Sequence, residues 1–322
     1  MITLALPWLG LVLLGAAVGT FGTLIGAGGG FLLVPILLLL YPNDSVETIT
    51  AISLAVVFLN ATSGSIAYAR MGRIDYRTGL IFAVAGAPGA VLGAMATGWL
   101  PRGLFDALFG LVLIVLAVYL LLRGKTVEGH AMPENVNVKV GAGLSFLVGF
   151  LSSVLGIGGG VIHVPLLIQF LGYPAHIATA TSHFILAIMS GVGTLTHIVQ
   201  GEFVTGARRT IAIGVGVLAG AQLGAWLSQR VHGRLIMRSL SVGLLGVGTR
   251  LVFKAAPLAL LWVAAVRFAH ADELVIETHA LAFPHATLVG FAWSAVGLTL
   301  GLALLAALAT GWRPRRRQPS AD

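Results

Sequence analysis

The sequence predicts an all-α polytopic membrane protein of two homologous repeats, each opening on a glycine-broken segment, with about eight to eleven membrane segments in all. Three observations carry that prediction. Of 322 residues, 57% are hydrophobic and 9% charged, against about a quarter charged in an ordinary soluble domain, so water is not the main solvent of this surface. Apolar runs able to cross about 30 Å of hydrocarbon, at roughly 20 residues per helix, recur along nearly the whole chain. The third observation is an internal echo, since GAGGGFLLVP, Gly26 to Pro35, returns as GIGGGVIHVP, Gly156 to Pro165.

A shift of about 130 residues places Gly26, Gly28, Gly29, Gly30 and Pro35 on Gly156, Gly158, Gly159, Gly160 and Pro165. With one-residue drifts it continues through Ser53 on Ser182, Gly64 on Gly193, Tyr68 on His197, Gly72 on Gly201, Gly89 on Gly220 and Gly93 on Gly224. The chain therefore divides into a first membrane repeat, 1–123, a polar linker, 124–137, and a second membrane repeat, 138–254. Residues 255–322 form an extension of one or two membrane segments, with an acidic loop around Asp272, Glu273, Glu277 and His279 and a basic tail of Arg313, Arg315, Arg316 and Arg317. Two halves of several segments each are how many secondary transporters are built, with the substrate site where the halves meet.

Within the first repeat a broken segment precedes helices near 48–69, 78–99 and 104–122, echoed near 178–199, 209–229 and 235–253. The first 25 residues lack a basic start and read as an uncleaved membrane segment. Positive loops stay inside, so Arg70, Arg73 and Arg77 are expected to be cytoplasmic and Asp44 and Glu47 external. Two topologies remain open. The stretch Phe31 to Leu40 is too short to span as a helix at 1.5 Å per residue. If the glycine segment folds back, the halves are inverted and Arg230, Arg234 and Arg238 become cytoplasmic, as the charge rule favours; if it crosses once, the halves are parallel and the basic tail is placed more easily.

Composition and motifs narrow the function. A net charge of +8 would suggest nucleic acid in a soluble protein, but here the basic residues lie between apolar runs or in the tail, where they orient a chain against anionic lipid. The absence of cysteine removes disulfides, thiolate metal sites and cysteine nucleophiles together. Gly124 to Thr126 reads GKT without the earlier glycine of a phosphate loop, and no histidines or carboxylates share metal-ligand spacing. No cofactor and no metal are expected.

Glycine inside a membrane helix weakens it by roughly 1 kcal/mol relative to alanine, and the following proline removes a backbone donor. Freed amides cannot face lipid, where each costs several kcal/mol, so the irregular backbone is expected in protein or beside a wet cavity. A helix restarting after the glycines points unpaired N–H groups and a positive dipole end at whatever lies before it. Gly26, Gly28, Gly29 and Gly30, with Gly156, Gly158, Gly159 and Gly160, are thus the expected cradle for an anion, built without a basic side chain. Gly64, Gly89, Gly93, Gly220 and Gly224 read instead as close-packing positions.

Polar residues at membrane depth complete the candidate site. His183 and His197 lie within about 40° of one another on a helix face, with Ser190 and Thr194 near the same stripe. Ser182 adjoins them, and the matching helix of the first half offers Ser53 and Asn60, seven residues apart. His163 stands inside the second glycine motif. Intramembrane ionisable groups usually face a bundle interior, and a histidine there can carry a proton or supply charge to a substrate.

These residues resemble a known family. Both GxGGGxxxVP motifs, the stretch THIVQGEF from Thr196 to Phe203 and the two-fold layout look like the sulfite exporter TauE/SafE family of bacterial membrane permeases, over residues 8–254. The resemblance implies movement of small anions, especially sulfite, sulfoacetate and other organosulfonates, across the cytoplasmic membrane without ATP and coupled to protons. His163 and His183 stand where aliphatic residues are expected, and the tail after 254 is longer than the duplicated core requires. The expected function is a proton-coupled secondary transporter rather than an enzyme, with a passive anion channel or an intramembrane enzyme as alternatives. Expected partners are a small anion, protons and the lipid bilayer, not nucleic acid, and homo-oligomerisation stays open.

Overall fold

The computed structural model describes residues 8–123, 138–203, 206–230 and 233–252; the linker 124–137 and the extension 255–322, with its acidic loop and basic tail, lie outside the described residues. All regular structure among the described residues is helical. In chain order it comprises α1 (Trp8–Ile25), α2 (Gly30–Leu40), α3 (Val46–Arg70), α4 (Tyr76–Ala96), α5 (Arg102–Arg123) and α6 (Val138–Val154). There follow α7 (Gly160–Pro165), continued by a π-helical turn over Leu166–Phe170, then α8 (Ala175–Val199), α9 (Ala207–Leu227) and α10 (Gly233–Val252). Five helical stretches are long and apolar enough to cross a membrane: Trp8–Ile25, Val46–Arg70, Tyr76–Trp99, Ala175–Val199 and Ala207–Leu227. Side chains such as Leu13, Val84, Leu111, Leu147 and Ile211 are exposed, as lipid-facing positions of a multi-pass membrane protein should be.

The helix starts follow local chemistry. Ser45 caps α3 by accepting from the Thr48 amide, and Asp75 caps α4 by accepting from the Thr78 amide. Between them, Gly72 takes φ 65° where the chain turns after α3.

Four helix pairs build the bundle: α1 on α9, α4 on α6, α5 on α10 and α3 on α8. The first two are close backbone contacts made possible by glycine. On α1, Gly15 and Gly19 sit against the backbone of Ile213 and Val217, while Gly216, Gly220 and Gly224 of α9 sit against Val12, Ala16 and Thr20. Gly89 and Gly93 of α4 meet the carbonyls of Phe146 and Phe150 on α6 in the same way. In both pairs residue numbers rise together, so α1 runs parallel to α9 and α4 parallel to α6.

The central pair α3 and α8 runs antiparallel, as polar contacts at its two ends show. At one end the Tyr173 hydroxyl, just before α8, donates to Asp75 Oδ2 at 2.6 Å, and the Asp75 amide donates to Thr181 Oγ1 at 3.0 Å. At the other end Arg209 of α9 pairs with Asp44 and stacks 3.6 Å above the Tyr41 ring centroid. Arg102 reaches the same corner, donating to the carbonyls of Asp44 at 3.1 Å and Leu38 at 3.2 Å.

These contacts decide how the glycine segments run. α2 ends beside Asp44, on the face where α9 begins; because α1 is parallel to α9, it begins on that face too, and α1 with α2 forms a hairpin. By the same reasoning α6 starts on the Asp75 face with α4, and the π turn delivers the chain back there at Tyr173. Both glycine segments fold back at their breaks.

Two outcomes are expected. A Cβ at Gly220 would overlap the Ala16 carbonyl and stand 2.9 Å from the Thr20 amide nitrogen, so Gly220→Leu should lower thermal stability in detergent by about 1–3 kcal/mol or more through overpacking. Burial pushes the Asp75 carboxyl up, but hydrogen bonds from Tyr173 and from the hydroxyl and amide of Thr78 outweigh it and hold the group below the usual carboxylate range. The stabilisation is therefore complete above the unfolded value of about 3.9 and is lost as pH falls through the lower folded value. Asp75→Asn should flatten that acid limb in unfolding curves recorded as a function of pH.

Candidate functional site

The two breaks share one backbone conformation. Gly26, Gly28 and Gly29 have φ of 83°, 74° and 82°, and Gly156, Gly158 and Gly159 have 68°, 79° and 92°. This left-handed region costs an L-residue roughly 1–2 kcal/mol, which is why the segment is written in glycine. In the first break the Gly26 amide donates to Thr23 O, and those of Ala27 and Gly28 to Gly22 O. In the second, Gly156 donates to Ser153 O, and Ile157 and Gly158 to Ser152 O. The helices then restart, with the carbonyls of Gly29 and Gly159 accepting from Leu32 and Leu33 and from Ile162 and His163. Left over are the amides of Gly29, Gly30 and Phe31 and of Gly159, Gly160 and Val161, which have no protein acceptor among the described residues.

The breaks touch one another at the centre of the bundle. A Cβ on Gly30 would stand 2.8 Å from Gly156 O, and one on Gly160 would stand 2.5 Å from Gly26 O. A serine from each long central helix ties the opposite break. Ser53 Oγ on α3 donates to Gly156 O at 2.6 Å, and Ser182 Oγ on α8 donates to Gly26 O at 3.2 Å. All four groups are buried, so each bond satisfies a carbonyl that would otherwise be stranded.

Beyond this exchange the two breaks differ. Asn60 Nδ2 donates to Gly28 O at 3.0 Å, and its Oδ1 accepts from Thr23 Oγ1 at 3.0 Å. His183 Nε2 lies 3.2 Å from Thr23 Oγ1, and Tyr68 OH donates to Thr23 O at 2.8 Å. Because the Thr23 hydroxyl gives its proton to Asn60, it accepts from His183 Nε2–H; the hydrogen-bond network thus assigns the tautomer. His183 Nδ1 is buried and makes no hydrogen bond of ordinary geometry among the described residues, although the ring also faces the Gly26 carbonyl. Its ring packs against Gly64, where a Cβ would come 2.6 Å from Cδ2, and against the Tyr68 ring edge-on at 5.7 Å.

The second break carries His163 instead. It is fully buried, with Nδ1 3.1 Å from Gly159 O and Nε2 2.9 Å from Ser145 Oγ, while Ser145 Oγ donates to Phe82 O at 2.7 Å. Three contacts here share two protons when the ring is neutral, and only the imidazolium supplies a proton to each. Ser152 Oγ, beside Gly159, is buried without a partner among the described residues.

The eight glycines, Ser53, Ser182, Asn60 and His183 therefore come together at or against the breaks, and His163 lies one helical turn past the second. His197 does not join them. It is buried near the end of α8, where Nδ1 pairs with Glu202 and Nε2 has no partner among the described residues. Sequence reasoning passed over Thr23 and Ser145. A signal for Thr23 was present, because the same shift places it on Ser153, a second hydroxyl residue three positions before a break; Ser145 has no comparable mark.

Comparison with known proteins places this architecture. The sequence profile of the family described as Sulfite exporter TauE/SafE matches residues 11–251. A Bacillus subtilis protein named "Probable membrane transporter protein YunE" is 29% identical over 266 residues, covering 76% of this chain and 97% of the relative. A "Probable membrane transporter protein" of Xylella fastidiosa is 30% identical over 221 residues, 67% of this chain and 83% of the relative. One from Methanocaldococcus jannaschii, "Probable membrane transporter protein MJ0441", is 25% identical over 252 residues, 74% of this chain and 93% of its own length. No solved structure matches the chain significantly.

Asn60 is the joint between the first break and its polar network. Asn60→Leu strips the Gly28 carbonyl of its donor and should destabilise the folded protein by about 1–3 kcal/mol, the usual cost of a buried polar group left unpaired. Thermal unfolding monitored by size-exclusion chromatography in detergent measures this.

Proposed function

The chain belongs to the sulfite exporter TauE/SafE family of membrane transporters, and on that premise we propose that it moves a small anion, sulfite or an organosulfonate, by proton-coupled secondary transport. The unpaired amides at the starts of α2 and α7 carry the reading. A sulfonate or sulfite oxygen is a strong acceptor with no proton of its own to place, and backbone N–H groups at a helix start suit it. Contacts with no basic side chain hold it loosely enough to let go, which a carrier requires.

Several features support the architecture proposed with it. The matched glycine conformations, the antiparallel α3 and α8, and the reciprocal bonds of Ser53 and Ser182 are those of two inverted repeats about an axis in the membrane plane. Ser53, Ser182 and Asn60 hold the break carbonyls away from the anion, so that the amides face it. His183 is the proton-responsive group, since Nδ1 makes no hydrogen bond of ordinary geometry, the ring faces the Gly26 carbonyl, and its other nitrogen reaches Asn60 through Thr23. The titratable group facing it is Tyr68 from α3. Protonation would bring a positive charge beside the first break and strengthen its hold on an anion.

Proteoliposomes test the reading. An imposed pH gradient should drive uptake of sulfite or a small organosulfonate, and Gly29→Ala and Gly159→Ala, which place a side chain at φ 82° and 92°, should abolish it in protein that still purifies as a folded species. His183→Leu should leave exchange of substrate across the membrane and remove its acceleration by acid. No flux of any sulfite, sulfonate or small carboxylate under either direction of gradient would refute transport of this class; flux indifferent to the gradient would refute the coupling and restore the passive channel.

A further inference from the structure

Between the two breaks, one turn past each tying serine, stand Val57 of α3 and Leu186 of α8. Both are fully buried. They do not belong to the main hydrophobic core but form a small cluster of their own with Ala61. Each touches both breaks: a Cβ on Gly158 would lie 2.5 Å from Val57 Cγ1 and 2.7 Å from Leu186 Cδ1, and a Cβ on Gly28 would lie 3.0 Å from Val57 Cγ1 and overlap a methyl of Leu186. Val57 and Leu186 are also related by the shift that places Ser53 on Ser182. The missing side chains of Gly28 and Gly158 are the space these two side chains fill.

Ordinary core packing does not require this arrangement. A break lined with polar serine bonds and unpaired amides has two equivalent apolar side chains inserted at its midpoint, each in contact with backbone from both halves. Apolar constrictions bar ions by staying dry, since an anion must shed its hydration before it enters.

From this we infer that Val57 and Leu186 are the constriction on the anion path, the pair of side chains that closes the space between the breaks and whose combined bulk sets the largest anion admitted. The inference rests on the transport reading above and adds a determinant of size selection to it. Truncating either side chain opens the path on both halves at once, because each contacts both glycines. Wetting it at constant bulk lowers the barrier without widening it.

The experiment compares wild type, Val57→Ala with Leu186→Ala, the near-isosteric Val57→Thr with Leu186→Asn, and a control, Leu113→Ala, which truncates a fully buried core side chain of α5. Proteoliposomes of each are assayed for sulfite, for an aromatic sulfonate and for chloride. The alanine pair should raise the flux of aromatic sulfonate relative to sulfite by about tenfold or more, the discrimination a methylene or two confers in an apolar pocket. The polar pair should admit chloride, which wild type excludes. If wild type carries sulfite while both pairs behave as Leu113→Ala does, the constriction is refuted and transport stands. Should wild type be inert while the polar pair conducts, the constriction is upheld and the uptake reading falls. Inertness of every protein overturns both.

Discussion

Backbone groups in a membrane must find partners inside the protein, and that constraint organises this molecule. Each unsatisfied amide or carbonyl facing hydrocarbon costs several kcal/mol, so a chain that interrupts a helix at membrane depth has to supply replacement partners. Here α3 supplies a partner to the second break and α8 supplies one to the first. Ser53 answers for Gly156 and Ser182 for Gly26, from helices that cross in opposite directions, and the close approach of Gly30 to Gly156 and of Gly160 to Gly26 holds only because neither glycine carries a Cβ. The carbonyls are answered in this way and the amides at the two helix starts are not, and that asymmetry leaves a place where an acceptor is wanted.

The partnership is symmetric in backbone and asymmetric in side chains. In the first break, Thr23, Asn60, Tyr68 and His183 form one connected network drawn from α1, α3 and α8. In the second, His163 and Ser145 join α7 to the Phe82 carbonyl of α4. Two breaks of one backbone form thus carry two differently built polar networks. One histidine has a ring nitrogen with no hydrogen bond of ordinary geometry, and the other has more acceptors around it than a neutral ring can serve. The polar surroundings of the two breaks are therefore not equivalent.

Much of this was legible before any coordinates. Helix positions, the two breaks, and the pairing of Ser53 with Ser182 follow from hydropathy and from the shift of about 130 residues, because glycine and serine at membrane depth have few roles that periodicity could disguise. The reciprocal exchange was not legible. A repeat shows which residues are equivalent, whereas whether Ser53 serves its own break or the opposite one depends on the direction in which α8 crosses α3. Val57 and Leu186 left no trace, since valine and leucine in an apolar run are what any membrane helix contains. The distance of His197 from the breaks was hidden for a related reason: sharing a helix face with His183 says nothing about depth, and four turns along α8 bring the chain to Glu202.

Motion between the halves is constrained by what fastens their two faces. On one face Arg209 is paired with Asp44 and stacked on Tyr41, with Arg102 closing over the end of α2. On the other, Tyr173 and Thr181 hold the turn between α3 and α4 through Asp75. Opening toward the first face separates two charges and uncovers the carbonyls of Leu38 and Asp44, while opening toward the second releases a carboxylate from a neutral hydroxyl. The first latch weakens with salt as a partly exposed ion pair does, whereas in the second the Asp75 carboxylate loses strength as an acceptor once protonated while the Asp75 backbone amide keeps the bond to Thr181 Oγ1. In the described conformation both faces are fastened by these contacts, and Val57 and Leu186 pack between the breaks. The two fastenings thus differ in chemistry, an ion pair on one face and a hydroxyl-to-carboxylate bond on the other.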